Sequence, residues 1–288
     1  MPSPNENKKR LALVIGSGSV KCAAALGVWK ILSQEKIDID MYVGCSGGSM
    51  FASLMALGKD VDESISNALQ LWNKSVTEKR HWLSILRAIM PRVFGFNERF
   101  GMISDKRVLQ GLERGFGDQT FADTSRPLRI LATDFHDGEA VVIAEGKLVD
   151  AIRASICIPY IWQPWPLGDR LLIDGAYSNP MPVDVAIKER MDIILAVGFE
   201  SPLPKSVKSI SRFAFHLNSI QTNNLFKANY AFHSLAHHSE IVLILPQFNR
   251  PINLFSTDQI PYVIEQGELA TKEQVPYIRR LLDEYTSK

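Results

Sequence analysis

The sequence predicts an α/β protein with a mainly parallel central sheet and helices on both faces. Three observations predict it. Two strand–turn–helix units follow each other directly between Leu11 and Ala56, and that succession implies right-handed crossovers and parallel strands. The strand candidates are unbroken apolar runs rather than alternating ones, as expected of strands covered on both sides. Gly44-Cys45-Ser46-Gly47-Gly48 fits Gly-x-Ser-x-Gly and lies between an apolar strand and a helix, the context in which that pattern marks a nucleophile.

Taken in order, Leu11-Ala12-Leu13-Val14-Ile15 is the first buried strand. Gly16-Ser17-Gly18-Ser19 turns the chain into a helix from Cys22 to Gln34, with Ala25, Val28, Trp29 and Leu32 at core spacing. Ile37 to Val43 supplies the second strand, and Ser49 to Ala56 the helix after the serine turn. Val61 to Phe121 is helix-rich and less regular. Leu128–Thr133 and Ala140–Ala144 read as strands, and Leu148–Ser155 as a helix. Leu171-Leu172-Ile173 runs into Asp174-Gly175-Ala176, and Asn179-Pro180-Met181-Pro182 opens a helix whose first turn tolerates proline. Ile193–Val197 and Ile241–Leu245 complete the sheet, and Ile260–Tyr285 forms one or two outer helices. Ser201–Ser206 has loop composition, and no repeat divides the chain. The expectation is a flexible tail over 1–10 and a single domain over 11–288.

The 32 Lys and Arg nearly cancel the 31 Asp and Glu of this 288-residue chain, so no broad electrostatic footprint for nucleic acid is expected. Cys22, Cys45 and Cys157 are scattered without metal-site spacing, which fits buried thiols in a reducing compartment. The apolar run after Arg10 stops at Gly16, far short of a signal h-region, and no stretch has the length of a membrane span. The expected location is cytoplasmic, with contact at the inner face of the membrane left open.

Ser46 needs a base. His81, His136, His216, His233, His237 and His238 are the chain's histidines, and the order Ser46, Asp174, late His would suit a histidine-assisted α/β-hydrolase or acyltransferase. That fold, however, places its elbow after several strands, whereas here it follows the second. Asp174 offers another solution. It ends an apolar strand before Gly175, so it belongs to the carboxyl edge of the sheet, as Ser46 does. An ordinary carboxyl, with a pKa near ~4, is a poor base at neutral pH, and burial would improve the match. Backbone N–H groups of the turn at Gly16–Ser19 can serve an oxyanion. The dinucleotide fingerprint Gly-x-Gly-x-x-Gly fails at Lys21, which is either a solvated lysine or a group steering an anionic head group.

These residues together resemble the patatin-like phospholipases, in the bacterial branch related to neuropathy target esterase. Leu11 to Gly58 is similar to that family's opening, and Ala132-Thr133-Asp134, Ala151-Ile152-Arg153-Ala154-Ser155 with Ile158-Pro159, Asp174-Gly175-Ala176 and Asn179-Pro180-Met181-Pro182-Val183 resemble its later blocks in the same order. The resemblance implies a three-layer patatin-like fold and a serine lipid acyl hydrolase of phospholipase A or lysophospholipase type. It implies Ser46 as nucleophile and Asp174 as general base of a Ser–Asp dyad, with Gly44, Cys45, Gly48, Gly175 and Ala176 completing the motifs. Ser17, Gly18, Ser19 and Gly47 are then the expected oxyanion donors, and no metal or cofactor is needed. The chain departs from the family at Ser17, Ser19 and Cys22, which stand where glycines are usual. Their N–H groups survive, but a position needing φ > 0 is costly for them. An acyl-lipid-binding regulatory protein that kept the pocket is the alternative this departure suggests.

Residues 78–100 are expected to form a lid or membrane contact. Trp82, Ile85, Leu86 and Ile89 share a helical face, with Arg80, Arg87, Arg92 and Arg99 interspersed. Packing on the core is the competing reading.

Overall fold

A computed structural model describes residues 9–60, 63, 97–200, 203, 206–207, 210–236, 238–252 and 256–283. The lid expected over 78–100 lies outside the described residues from 78 to 96.

β1 (Leu11–Ile15) shows why the runs are continuous. Side chains of a strand alternate between faces. Leu11, Leu13 and Ile15 enter one apolar cluster and Ala12 and Val14 enter another, so neither face of the sheet meets water here. The first cluster holds α1 (Ala24–Gln34), α2 (Gly47–Ala56), α3 (Lys106–Phe116), α4 (Leu148–Ser155) and α7 (Ile260–Asp283). The second packs α5 (Val183–Lys188) and, through Phe226, α6 (Ile210–Ala236). The result is three layers, helices–sheet–helices.

The remaining strands are β2 (Met41–Cys45), β3 (Leu128–Asp134), β4 (Ala140–Ile143), β5 (Trp165–Leu167), β6 (Arg170–Asp174), β7 (Ile193–Val197) and β8 (Glu240–Ile244). Their order is β5-β6-β3-β2-β1-β7-β8, with β4 also on β3. β3-β2-β1-β7-β8 are mutually parallel, whereas β4 and β6 run antiparallel to β3, and β5 antiparallel to β6.

The register on β3 decides where the site forms. β2 pairs with Leu128 to Leu131, β6 with Ala132 to Asp134, and β4 with Ile130 to Thr133. A strand has two edges, and β4 overlaps both other partners, so β2 and β6 share the opposite edge end to end. Cys45 lies across from Leu131 and Asp174 across from Ala132. The carboxyl ends of β2 and β6, running toward each other, therefore meet at one point of β3.

One local expectation changes and another narrows. The helix expected from Cys22 starts as a 3-10 helix, Ser19–Ala23, before α1 takes over at Ala24. The C-terminal stretch is one helix, α7, with Pro276 inside it.

Candidate active site

Ser46 caps the N-terminus of α2 with φ 53° and ψ −130°, a left-handed backbone that serine adopts only under constraint. Such a conformation costs on the order of 1–3 kcal/mol and persists where its surroundings fix it. The surroundings are visible. Ser46 N donates to Ser155 Oγ at 2.8 Å, and both Ser49 N (2.9 Å) and Ser49 Oγ (2.6 Å) donate to the Ser46 carbonyl.

The end-to-end meeting of β2 and β6 brings Asp174 to this turn. Ser46 Oγ donates to Asp174 Oδ2 at 2.6 Å, across 128 residues of sequence. Asp174 Oδ1 accepts from Ala176 N at 2.9 Å, so both carboxylate oxygens are oriented. Its backbone is tied as firmly: Asp174 N donates to Cys157 O, and Thr133 Oγ1 donates to Asp174 O at 2.9 Å while sharing a hydrogen bond with Ser178 Oγ. Gly175 lets β6 end this close, since a Cβ there would lie 2.4 Å from Leu131 O. Ser46 is 6% exposed and Asp174 2%. Burial pushes the Asp174 carboxyl up from the ordinary carboxylate range to about 7, against the pull of the Ser46 hydroxyl and the Ala176 N–H. A base with that pKa is matched to neutral pH. No histidine among the described residues hydrogen-bonds to Ser46 or Asp174.

The glycine-rich turn lies against the elbow. A Cβ on Gly47 would sit 2.7 Å from Ser19 O, so the two backbones touch. Gly47 opens α2, and its N–H is one of the four that an α-helix leaves without an intrahelical partner. Ser19 adopts φ 55°, so one of the two serines in this turn does occupy a left-handed position. Cys22 sits inside the 3-10 helix and donates its thiol to Gly16 O at 3.3 Å, bracing the turn from within. A narrow, mainly apolar recess beside this contact is lined by Ser19, Val20, Gly47, Met50, Phe51 and Ile260.

Two expected site residues are placed otherwise. The Ser17 N–H, expected among the oxyanion donors, donates to Pro180 O at 2.8 Å. Lys21, read as a solvated or head-group-steering lysine, is buried and donates its Nζ to Glu200 O at 2.9 Å. Burial lowers its pKa to about 8, with Cys22 and Glu200 acting the other way. Cys45 is likewise internal: its thiol donates to Asn179 O, and burial, then the nearby Asp174, hold it well above the usual thiol range. Ser155 and Thr133 stand in the blocks that resemble the family, but their sequence assigns them no function. Both are neutral hydroxyls whose partners lie far away in the chain. Among the described residues no group of three or more His, Cys, Asp or Glu could hold a metal ion.

The patatin-like phospholipase family model matches residues 13–187, and the chain belongs to that family. An uncharacterized NTE family protein of Mycobacterium tuberculosis (strain ATCC 25618 / H37Rv) is 30% identical over 203 residues, 68% of this chain and 52% of the relative. Patatin-like phospholipase domain-containing protein 6 of Mus musculus is 26% identical over 189 residues, 65% of this chain and 13% of that protein. The chain thus spans about half the length of the mycobacterial relatives that are 30% identical to it. Among solved structures, human GIVD cytosolic phospholipase A2 superposes with a TM-score of 0.55 at 9% identity, covering 99% of this chain and 64% of that one. At that identity the likeness concerns the fold.

Proposed function

We propose that this protein is a serine lipid acyl hydrolase of phospholipase A or lysophospholipase type, working through a Ser46–Asp174 dyad and an acyl-enzyme. The observation that carries the reading is the 2.6 Å hydrogen bond from Ser46 Oγ to a buried Asp174 carboxylate at a nucleophile elbow. Asp174 Oδ2 takes the hydroxyl proton as Ser46 Oγ attacks the ester carbonyl. N–H groups at Gly47 and at Gly18 or Ser19 hold the oxyanion, aided by the positive end of α2. Asp174, now protonated, gives its proton to the leaving alkoxide. Water then enters by the same route: Asp174 deprotonates it, it attacks the acyl carbonyl, and fatty acid leaves as Ser46 recovers its proton. On this reading residues 11–288 act as one domain.

Peripheral membrane contact belongs to the same proposal. α6 presents Phe213, Leu217, Phe232 and Leu235 to solvent, and the whole of Ile210–Ala236 contains no Asp or Glu. An apolar face on a helix without acidic residues suits an anionic lipid surface. No helix among the described residues is long and apolar enough to cross a membrane.

The test is fatty-acid release from a panel of phospholipids, lysophospholipids and neutral esters, read by mass spectrometry. Wild type is expected to release fatty acid, and Ser46→Ala and Asp174→Asn are each expected to remain at background while folded. Full activity in Asp174→Asn would remove the dyad. Lipid that co-purifies without any turnover would favour the acyl-binding alternative.

A further inference from the structure

We propose that Ser155 is a positioning residue for the nucleophile: its hydroxyl replaces a missing rung of the sheet, holds Ser46 in its left-handed conformation and keeps the Ser46 N–H out of the oxyanion hole. The inference rests on the hydrolase reading above. It begins at the fork on β3, where β2 is the partner up to Leu131 and β6 from Ala132 onward. Just past the last β2 pair, Cys45 with Leu131, the chain must leave the ladder to make the elbow. That departure separates Ser46 N–H on the β2 side from Leu131 C=O on the β3 side. Both are main-chain groups in the interior, and each needs a partner.

The Ser155 hydroxyl lies between them. It accepts from Ser46 N at 2.8 Å and donates to Leu131 O at 2.6 Å. Serine is fully buried there, as the last residue of α4, and those two bonds use its one proton and one of its lone pairs in a single direction. Reversal is not available, because an amide nitrogen can only donate and a carbonyl can only accept. The elbow is therefore fixed to β3, the same strand whose Thr133 hydroxyl holds the Asp174 carbonyl. Nucleophile and base are each held to one rail by one buried hydroxyl, two residues apart along it. A catalytic consequence follows. With its own N–H engaged, Ser46 contributes no donor to the oxyanion, and that task falls to Gly47 and the Gly18–Ser19 turn.

Removing the hydroxyl leaves two buried main-chain groups unpaired and frees the elbow to relax from φ 53°. Misplacement of a reacting oxygen by about 1 Å costs on the order of a hundredfold in rate. The experiment uses the purified full chain with an alkyl fluorophosphonate and a soluble p-nitrophenyl ester, comparing wild type, Ser155→Ala, Ser155→Cys and Ser155→Thr beside their melting curves. Expected for Ser155→Ala is a fall of about ten- to a hundredfold in both the phosphonylation rate of Ser46 and kcat, with KM unchanged within about twofold. Ser155→Thr, which keeps the hydroxyl, is expected to recover most of the rate. Ser155→Cys, a longer and weaker hydrogen-bonding group, falls between. Folded Ala or Cys variants that label at the wild-type rate would overturn the proposal, and so would Ala and Cys variants that both fail to fold, since the hydroxyl would then serve the fold alone. A wild type that does not label at Ser46 would instead remove the hydrolase reading, and the positioning role with it.

Discussion

Asp174→Asn should make the protein more stable at alkaline pH while it abolishes hydrolysis. Asn fits the same contacts: its Oδ1 can accept from Ala176 N and its Nδ2 can donate to Ser46 Oγ, the two positions Asp174 now uses. What changes is the buried charge. Folded Asp174 titrates at about 7, against about 4 in the unfolded chain. Between those values the folded state keeps a proton that the unfolded chain has released, so wild-type stability falls as pH rises through the window and levels off above it. A difference of about 3 units at about 1.4 kcal/mol each amounts to about 4 kcal/mol, of which about 2–3 kcal/mol falls between pH 5 and pH 8. Urea unfolding of both proteins at pH 5 and pH 8 reads this directly, with the Asn variant's advantage growing by an amount worth about 1 M in midpoint. Equal pH dependence in the two proteins would refute the reasoning, because it would mean that Asp174 carries its charge in the folded state at no cost.

The same carboxyl predicts that kcat/KM on a soluble ester rises with pH through about 7, because Asp174 accepts a proton only when ionised. A flat profile from pH 5 to 9 would contradict that role. Gly175→Ala should cost about 1–3 kcal/mol of stability and reduce activity, since its Cβ would sit 2.4 Å from Leu131 O at the point where β2 and β6 meet. Thermal melting and ester turnover measure both effects. Asp105→Asn should destabilise the fold by about 3–5 kcal/mol, because it strips the fully buried Arg153 of its carboxylate partner while Arg153 Nε and Nη1 have no hydrogen bond among the described residues. Leu235→Ser with Phe232→Ser should weaken sedimentation with anionic phosphatidylglycerol vesicles and leave soluble-ester turnover unchanged. Unaltered vesicle binding would assign the membrane contact elsewhere.

What was legible in the sequence is what local chemistry dictates. β1, β7 and β8 stand out as unbroken apolar runs because both faces of the sheet are covered, and Ser46 stands out because a strand–helix elbow demands small neighbours. Asp174 could be named from its place at a strand end before Gly175, but β6 runs antiparallel to β3, so it is the end-to-end meeting with β2, not a shared carboxyl edge of parallel strands, that sets it 2.6 Å from Ser46. β5 was not foreseen: it is three residues long and contains Pro166, so it carries neither length nor periodicity. The fork on β3 was equally hidden, since register is a property of three strands together. That fork is what gives Ser155 and Thr133 their roles, and no spacing within one segment encodes it. Lys21 misled for a related reason. A lysine in a first helical turn reads as solvated, but here the turn folds inward and the Glu200 carbonyl receives the ammonium.

The most direct test of the dyad is the site and rate of covalent capture. Wild type treated with an alkyl fluorophosphonate should gain one adduct, mapped by peptide mass spectrometry to Ser46, while Asp174→Asn should label at least about a hundredfold more slowly and His→Ala variants at the wild-type rate. An adduct on another residue, or an Asp174→Asn protein that labels as fast as wild type, would contradict the account.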